Sequence, residues 1–474
     1  MLFALVWLSC VWFGSFEFNP NNATRLFGAL SLVERGEPTI DRYQTLTIDK
    51  AEFTHGAVTH YYMDKAPGMT LMAVPVVAAT NWVTGARSYD QVIDITNPRL
   101  ADFLRVRLAL AVACGAAVLT AFAAVLLLDF GTGITGSPAA GLFAALGYAL
   151  GSIAWGWSTT LFGHAPVAAL LLIATWAIWR GTSGDREFGR LRYPLMAGAA
   201  LGWAVAIEFP AALGGIAIGL WALWRSRMAP WPVRRRLYGC AVAAAIVALL
   251  PMLAYNQFAF GTPFRTGYQG VVGFAGMNQG LFGLTYPKPN ALFGITLGTR
   301  RGLLWVAPVL VLGLLGLGRL ILVRRTRDLG LLAVAVIAIV LSVNASYAYW
   351  DGGASTGPRH SVPAIPFLAL GLAPAWAWLR WRAAKIAAIA LLGVSMLINL
   401  VIAATDIFAP EQMATPVWTR NFVGLFAHGK LNTLPNLYWG LKPWGGFALY
   451  LDFALPMLGL LAWWTIRAER AGSV

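Results

Sequence analysis

The chain has 474 residues, of which 58% are hydrophobic and 12% are charged, and its mean hydropathy is +0.65. A soluble core of this length could not bury so much apolar surface, so the composition excludes an ordinary soluble domain and indicates an integral membrane protein. The net charge of +15 does not indicate nucleic-acid binding, because the basic residues form short clusters between apolar runs, as in the cytoplasmic loops of membrane proteins.

Apolar runs recur along almost the whole chain, as expected for a bundle of membrane-spanning helices. The arginine-rich segments 180–192, 225–236 and 319–327 are predicted to lie in the cytoplasm. They fall on one side only if segment 69–84, which is short and contains Pro75, lies in the membrane interface. The sequence then predicts an all-α polytopic protein of the bacterial cytoplasmic membrane, with about twelve spans and both termini in the cytoplasm. The predicted spans are residues 1–16, 105–128, 139–155, 165–179, 194–207, 210–224, 238–259, 302–322, 329–346, 359–379, 386–404 and 447–466.

The long loops of this topology all lie on the outer side of the membrane. The sequence divides into a first module, residues 1–225, and a C-terminal helical bundle, residues 226–474. Because long loops usually carry function, we expect a reaction or a recognition event at the outer face. The predicted outer loops are residues 17–104, 260–301, 347–358 and 405–446.

The first outer loop contains three widely spaced aspartates, Asp41, Asp49 and Asp64. A carboxylate that accepts a proton is the simplest general base, so these residues are the candidate catalytic groups. The alternative is that each is solvated or paired with a basic residue of the same loop. In "HYYMDKAPG", Pro67 restricts the backbone and holds Asp64 beside Lys65 at the start of the interfacial segment.

The second half contains a comparable stretch, "YAYWDGGASTGPRHSVPAIPF", in which Arg359 and His360 stand where a predicted span begins. A guanidinium at the outer membrane surface is suited to bind phosphate. The alternative is an arginine that anchors a helix end. His164 is a weak further candidate, and Glu208 is assigned no role.

The order of these segments resembles the GT-C class of membrane glycosyltransferases, in particular the branch of protein O-mannosyltransferases and lipid A aminoarabinose transferases. In that family an acidic pair opens the first outer loop, and an acidic-Lys-Pro-Pro motif closes it before an interfacial helix. Residues 64–67, Asp-Lys-Ala-Pro, are similar to the closing motif. Asn21 and Asn22 stand in "NPNNATRLFGALSLVERGEP" where the acidic pair would be, so the expected base is one of the three loop aspartates.

The resemblance implies an enzyme that moves a sugar from a polyprenyl-phosphate donor to an acceptor hydroxyl on a glycan, lipid or protein, at the periplasmic face and with inversion. A loop aspartate would be the general base. No cofactor, metal ligand or nucleic-acid partner is expected, although the sequence leaves a divalent metal open. The residues expected to bind the substrate or its lipid phosphate are Lys65, Arg359, His360, His60, Tyr61 and Tyr62.

The alternative function is a transporter or flippase of lipid-linked sugars. Such a protein would concentrate ionisable groups at the middle of the membrane, in interrupted helices. This sequence places nearly all its acidic residues in the predicted outer loops, which favours the enzyme.

Overall fold

The computed structural model describes residues 1–14, 19–184 and 190–472. The end of the first predicted span and Arg186 of the first arginine cluster lie outside the described residues. Within these ranges the chain is mainly helical. In chain order the helices are α1 (Leu2–Trp12), α2 (Pro20–Arg35), α3 (Gly68–Thr84), α4 (Pro98–Cys114), α5 (Ala116–Thr135), α6 (Pro138–Ala149), α7 (Ala154–Trp157), α8 (His164–Gly181), α9 (Arg192–Ile207), α10 (Ala211–Arg225), α11 (Trp231–Phe260), α12 (Pro289–Thr296), α13 (Leu303–Val306), α14 (Leu310–Leu322), α15 (Arg327–Ser346), α16 (Ile365–Leu370), α17 (Leu372–Trp378), α18 (Arg382–Ala404), α19 (Leu434–Trp439) and α20 (Pro443–Gly472).

Many of these helices are apolar enough for a membrane. Every predicted span overlaps a helix, which confirms a polytopic helical membrane protein. The full count of twelve, the sidedness of the termini and the division at residue 225 stay predictions. Among the described residues six segments are long and apolar enough to cross: Pro98–Thr135, Trp231–Phe260, Arg327–Ser346, Arg359–Trp378, Arg382–Ala404 and Pro443–Ala471.

The first outer loop is more ordered than the sequence analysis expected. It contains α2, which begins after Asn19, whose side chain accepts hydrogen bonds from two backbone amides of the first turn. It also contains an antiparallel hairpin of β1 (Ala51–His55) and β2 (Val58–Tyr62). The all-α prediction is therefore wrong for this loop, where a polar segment pairs its backbone as two short strands instead of remaining irregular.

A buried arginine fixes α2, α3 and α4 to one another. Arg107 of α4 donates from Nε to Asn81 Oδ1 of α3 over 2.7 Å, and Asn81 donates to Glu34 Oε1 of α2 over 2.9 Å. The backbone amide of Ser88 also donates to Glu34, over 3.0 Å. Because both Arg107 and Asn81 lose hydration here, their mutual bonds hold the predicted interfacial helix α3 in one position.

The bundle has two chemically different ends. At one end the arginine clusters make ion pairs between helices, such as Arg180 to Asp129 over 3.2 Å and Arg225 to Asp328 over 3.3 Å. At the other end, α8 starts at His164 and α15 stops at Ser346. The candidate site residues described next are gathered at this second end.

Close packing of α14 against α17 gives a test of the fold. A methyl group on Gly316 would lie 1.7 Å from the carbonyl oxygen of Gly371, whereas one on Gly318 would meet no atom within 4 Å. We expect Gly316→Ala to destabilise the protein by about 1–3 kcal/mol, because the two backbones must separate. Thermal unfolding in detergent measures the effect.

Gly318→Ala is the matched control on the same helix. It adds the same methyl group without a clash, and we expect it to be neutral or to stabilise by up to about 1 kcal/mol. Equal destabilisation by both substitutions would contradict the described contact between α14 and α17.

Candidate active site

The centre of the candidate site is an ammonium group held between two carboxylates. Lys65 Nζ lies 3.3 Å from Asp49 Oδ2 and makes a close ion pair with Asp64. The side chain of Asp64 is 1% exposed and that of Asp49 is 10% exposed. Burial raises the pKa of Asp64, and Lys65 opposes that shift. Burial alone would lower the pKa of Lys65, but the charges of Asp64 and Asp49 raise it overall.

The hydroxyl of Thr47 and the glycine at position 68 bring these three side chains together. Thr47 accepts a hydrogen bond from the amide of Asp49 and donates one to the carbonyl of Pro20, which fixes the loop to the start of α2. Gly68, the first residue of α3, lies directly against α9: a methyl group there would be 2.6 Å from the carbonyl oxygen of Ala206. The glycine that ends "DKAPG" therefore lets the Asp64–Lys65 turn approach the end of α9.

Two arginines lie beside this cluster and share one aromatic ring. The guanidinium carbon of Arg25 is 5.8 Å from the centre of the Phe162 ring, and that of Arg359 is 5.1 Å from it. The Nε atoms of both arginines are buried and have no hydrogen-bond partner among the described residues. Burial lowers the pKa of Arg25, while the charges of Glu208, Asp64 and Asp49 oppose the shift.

A carboxylate and an imidazole, those of Glu208 and His164, form a wall of the candidate site. Glu208, in extended conformation directly after α9, places Oε1 2.7 Å from His164 Nδ1. The His164 ring meets the His360 ring edge-on, with 4.9 Å between their centres, and His360 lies 5.3 Å from the ring of Tyr347. The guanidinium of Arg359 lies over the Trp157 and Phe162 rings, which also border His164, so this arginine adjoins the wall.

The second outer loop, residues 260–301, packs against the first outer loop beside the lysine cluster, where Gly267 lies against the backbone of Met63 and Asp64. Val271 bridges to Ala51 of the hairpin, and the amide of Val272 donates to the carbonyl of Lys50 over 3.3 Å. Tyr268 of the same segment packs edge-on against Phe209, with 5.5 Å between ring centres. The loop 260–301 is thus attached to the first outer loop and forms part of the site.

The structure separates the predicted site residues into two groups. Asp49, Asp64, Lys65, Arg359 and His360 come together. Asp41 instead lies 2.7 Å from His60 Nδ1 and accepts a hydrogen bond from the backbone amide of Tyr61; among the described residues no ion pair joins it to Lys65, whose partners are Asp49 and Asp64. Tyr61 lies against Lys50, and Tyr62 packs in an aromatic cluster with Phe53 and Phe260. A binding role for His60, Tyr61 and Tyr62 stays a prediction.

Sequence reasoning missed Arg25, Glu208 and Tyr268. Arg25 lies in the predicted first outer loop, where a charged side chain is expected to be solvated, but the structure leaves it only 3% exposed. Glu208 gave a signal, since an ionisable residue next to an apolar run usually has a function, but its partner His164 is 44 positions earlier in the chain. In the described part of the chain no group of three or more His, Cys, Asp or Glu residues is placed to hold a metal ion.

Removal of the central ammonium gives a test of this arrangement. We expect Lys65→Met to destabilise the protein by about 3–5 kcal/mol near neutral pH, because two buried carboxylates lose their shared cation. Folding raises the pKa of Asp64. Its protonated carboxyl therefore favours the folded state below the unfolded pKa, and this contribution is lost as the pH rises through the folded pKa. The loss of stability caused by Lys65→Met should be smaller near pH 4.5 than near pH 8, as measured by thermal unfolding in detergent.

Lys430→Met is the control, because Lys430 is an exposed lysine in another outer loop. We expect little change in its unfolding temperature at either pH. A deficit of Lys65→Met that is the same at both values would show that the carboxylates do not depend on this ammonium.

Comparison with known proteins gives the fold. No protein-family model matches the chain, and no curated protein matches it in sequence. Two solved structures of ArnT from Cupriavidus metallidurans match: the apo form with a TM-score of 0.50, 14% identity and coverage of 97% of this chain and 75% of that one, and a form bound to undecaprenyl phosphate with a TM-score of 0.49, 14% identity and coverage of 99% and 77%. The chain therefore has the polytopic helical fold of ArnT, a lipid A aminoarabinose transferase of the GT-C class, as the sequence resemblance predicted.

Proposed function

We propose that this protein is a membrane glycosyltransferase that moves a sugar from a polyprenyl-phosphate donor to an acceptor hydroxyl at the periplasmic face of the inner membrane. One observation carries the proposal: in a GT-C-like fold, the buried Arg25 and the half-buried Arg359 each have a buried Nε without a hydrogen-bond partner among the described residues, and both lie within electrostatic range of the buried carboxylate Asp49. Such a transfer needs a binding site for the phosphate that leaves and a base for the hydroxyl that attacks. The site offers both.

Arg25 and Arg359 are better candidates than Lys65 for binding the phosphate. The ammonium of Lys65 is already shared by Asp49 and Asp64, whereas Arg25 and Arg359 each keep a buried Nε free of hydrogen bonds among the described residues. A buried donor without a partner is costly, and a phosphate oxygen would remove that cost. The positive charge of the pair would also stabilise the negative charge that develops on the leaving phosphate.

Of the three candidate bases we propose Asp49. Its side chain is 10% exposed and that of Asp64 is 1% exposed, so Asp49 is the more accessible to an acceptor. Asp49 would take the proton of the acceptor hydroxyl as its oxygen attacks the anomeric carbon. The bond from that carbon to the phosphate oxygen breaks, its electron pair leaves with the lipid phosphate, and the configuration inverts. Asp64 would then be a positioning residue that holds Lys65, and Asp41 would have no part in the reaction.

Substitution of the two aspartates tests these roles. Asp49→Asn should lower turnover by about 10²–10⁴-fold, the usual contribution of a general base, while the donor still binds. Asp41→Asn, which removes a half-exposed carboxylate of the hairpin region, should keep nearly full activity. The measurement is transfer of radiolabelled sugar from polyprenyl-phosphate donors in membranes that contain equal amounts of each variant.

Arg359→Gln should weaken binding of the lipid phosphate and lower turnover, because the leaving group loses a charged ligand.

Full turnover by Asp49→Asn would eliminate Asp49 as the base. Movement of the lipid-linked sugar across the bilayer without a glycosidic product would contradict the enzyme and favour the flippase.

A further inference from the structure

The wall formed by Glu208 and His164 is not needed for the phosphate or for the base. Glu208 uses Oε1 for its contact of 2.7 Å with His164 Nδ1. The side chains of Glu208 and His164 are 16% and 10% exposed. Burying a carboxylate and an imidazole costs free energy that an apolar pair at the same place would not cost. Their presence therefore indicates a function.

Aromatic rings surround this pair on several sides. The His164 ring centre is 6.2 Å from that of Trp157 and 6.0 Å from that of Phe162. Tyr347 stands edge-on to His360, whose Nε2 is buried without a hydrogen-bond partner among the described residues. Trp157 and Phe162 are each 1% exposed and support the wall from behind, so its accessible groups are the half-buried rings of Tyr347 and His360 beside the carboxylate and the second imidazole.

This combination matches the chemistry of a sugar ring. A sugar has apolar C–H groups that pack on aromatic faces and neighbouring hydroxyls that both donate and accept hydrogen bonds. A carboxylate accepts, while imidazole and phenol groups can donate or accept, so together they satisfy such hydroxyls. The wall adjoins Arg359, whose guanidinium packs over the Trp157 and Phe162 rings that also border His164, and so lies next to the proposed phosphate site.

The charges of the wall indicate an uncharged sugar. Arg25 and Arg359 pack at the Phe162 ring, which also borders His164, the partner of Glu208. The two positive charges of these arginines are matched by the negative charges of Glu208 and of the phosphodiester of the donor. With the donor bound, no charge is left for a sugar carboxylate or a sugar ammonium to neutralise, which favours a neutral hexose or pentose.

We propose that Glu208, His164, His360 and Tyr347 form the subsite that binds the sugar ring of the donor, and that they select a neutral sugar. The inference rests on the proposed function, which it deepens by naming the class of sugar. Glu208 and His164 act by binding and orientation; they take no proton in the transfer.

Binding measurements separate the ring subsite from the phosphate site. The probes are undecaprenyl phosphate and its β-linked glucose, mannose, arabinose, glucuronate and 4-aminoarabinose derivatives, bound to purified protein in nanodiscs. For wild type we expect at least one neutral glycoside to bind more tightly than undecaprenyl phosphate and than both charged glycosides. Glu208→Ala should weaken that glycoside by about 10–100-fold, the loss expected for a hydrogen bond to a charged group, and leave undecaprenyl phosphate unchanged.

His164→Gln is the second variant, since it keeps a polar side chain of similar length and should lose the same selectivity to a smaller extent. Glu208→Gln should recover part of the affinity because its amide oxygen still accepts. Asp94→Asn, an exposed carboxylate of the first outer loop, is the control and should bind all probes as wild type does.

Several outcomes would overturn the subsite. They are equal weakening of the glycoside and of undecaprenyl phosphate, unchanged glycoside binding in both Glu208→Ala and His164→Gln, and a charged glycoside that binds wild type most tightly. If selective binding is found but no sugar is transferred, the enzyme proposal fails and the subsite stands. If sugar is transferred but Glu208→Ala keeps the wild-type selectivity, the subsite alone fails.

Discussion

The ammonium of Lys65, held between Asp49 and Asp64, is the interaction on which this end of the molecule depends. Three charges removed from water together cost several kcal/mol each unless their geometry compensates. The compensation requires the loop that carries Asp49 and the turn that carries Asp64 and Lys65 to meet within ion-pair distance. Much of the surrounding order follows from this requirement, including the hydroxyl of Thr47 that fixes the loop to α2.

The charges of the site are not evenly distributed. Lys65 with its two carboxylates carries one net negative charge, while Arg25 and Arg359 with Glu208 carry one net positive charge. A ligand with a single negative charge is therefore attracted to the arginine side and repelled from the lysine side. A phosphodiester has one such charge, so the two arginines attract it while Asp49 and Asp64 repel it.

The sequence predicted the class of fold and several residues that the structure brings together in the candidate site, for physical reasons. Hydrophobic runs of membrane length identify helices without knowledge of their partners, and the motif at residues 64–67 placed Asp64 and Lys65 beside an interfacial helix. The helix α2 was missed although Asn19-Pro20 and Gly36 are typical start and stop residues. Arg25, Glu208 and His164 could not be assigned because their contacts join distant segments, and spacing alone could not show that Asp41 points toward the hairpin.

The contact of Gly68 with the backbone of Ala206 and Ile207 has a mechanical consequence. Glu208 follows Ile207 directly, and Asp64 and Lys65 precede Gly68 by a few residues, so backbone touches backbone between the two groups of charges. With no side chain in between to deform, α3 and the end of α9 cannot change their spacing here without breaking this contact. The positions of the two groups of charges are therefore coupled through the backbone and not only through their electrostatics.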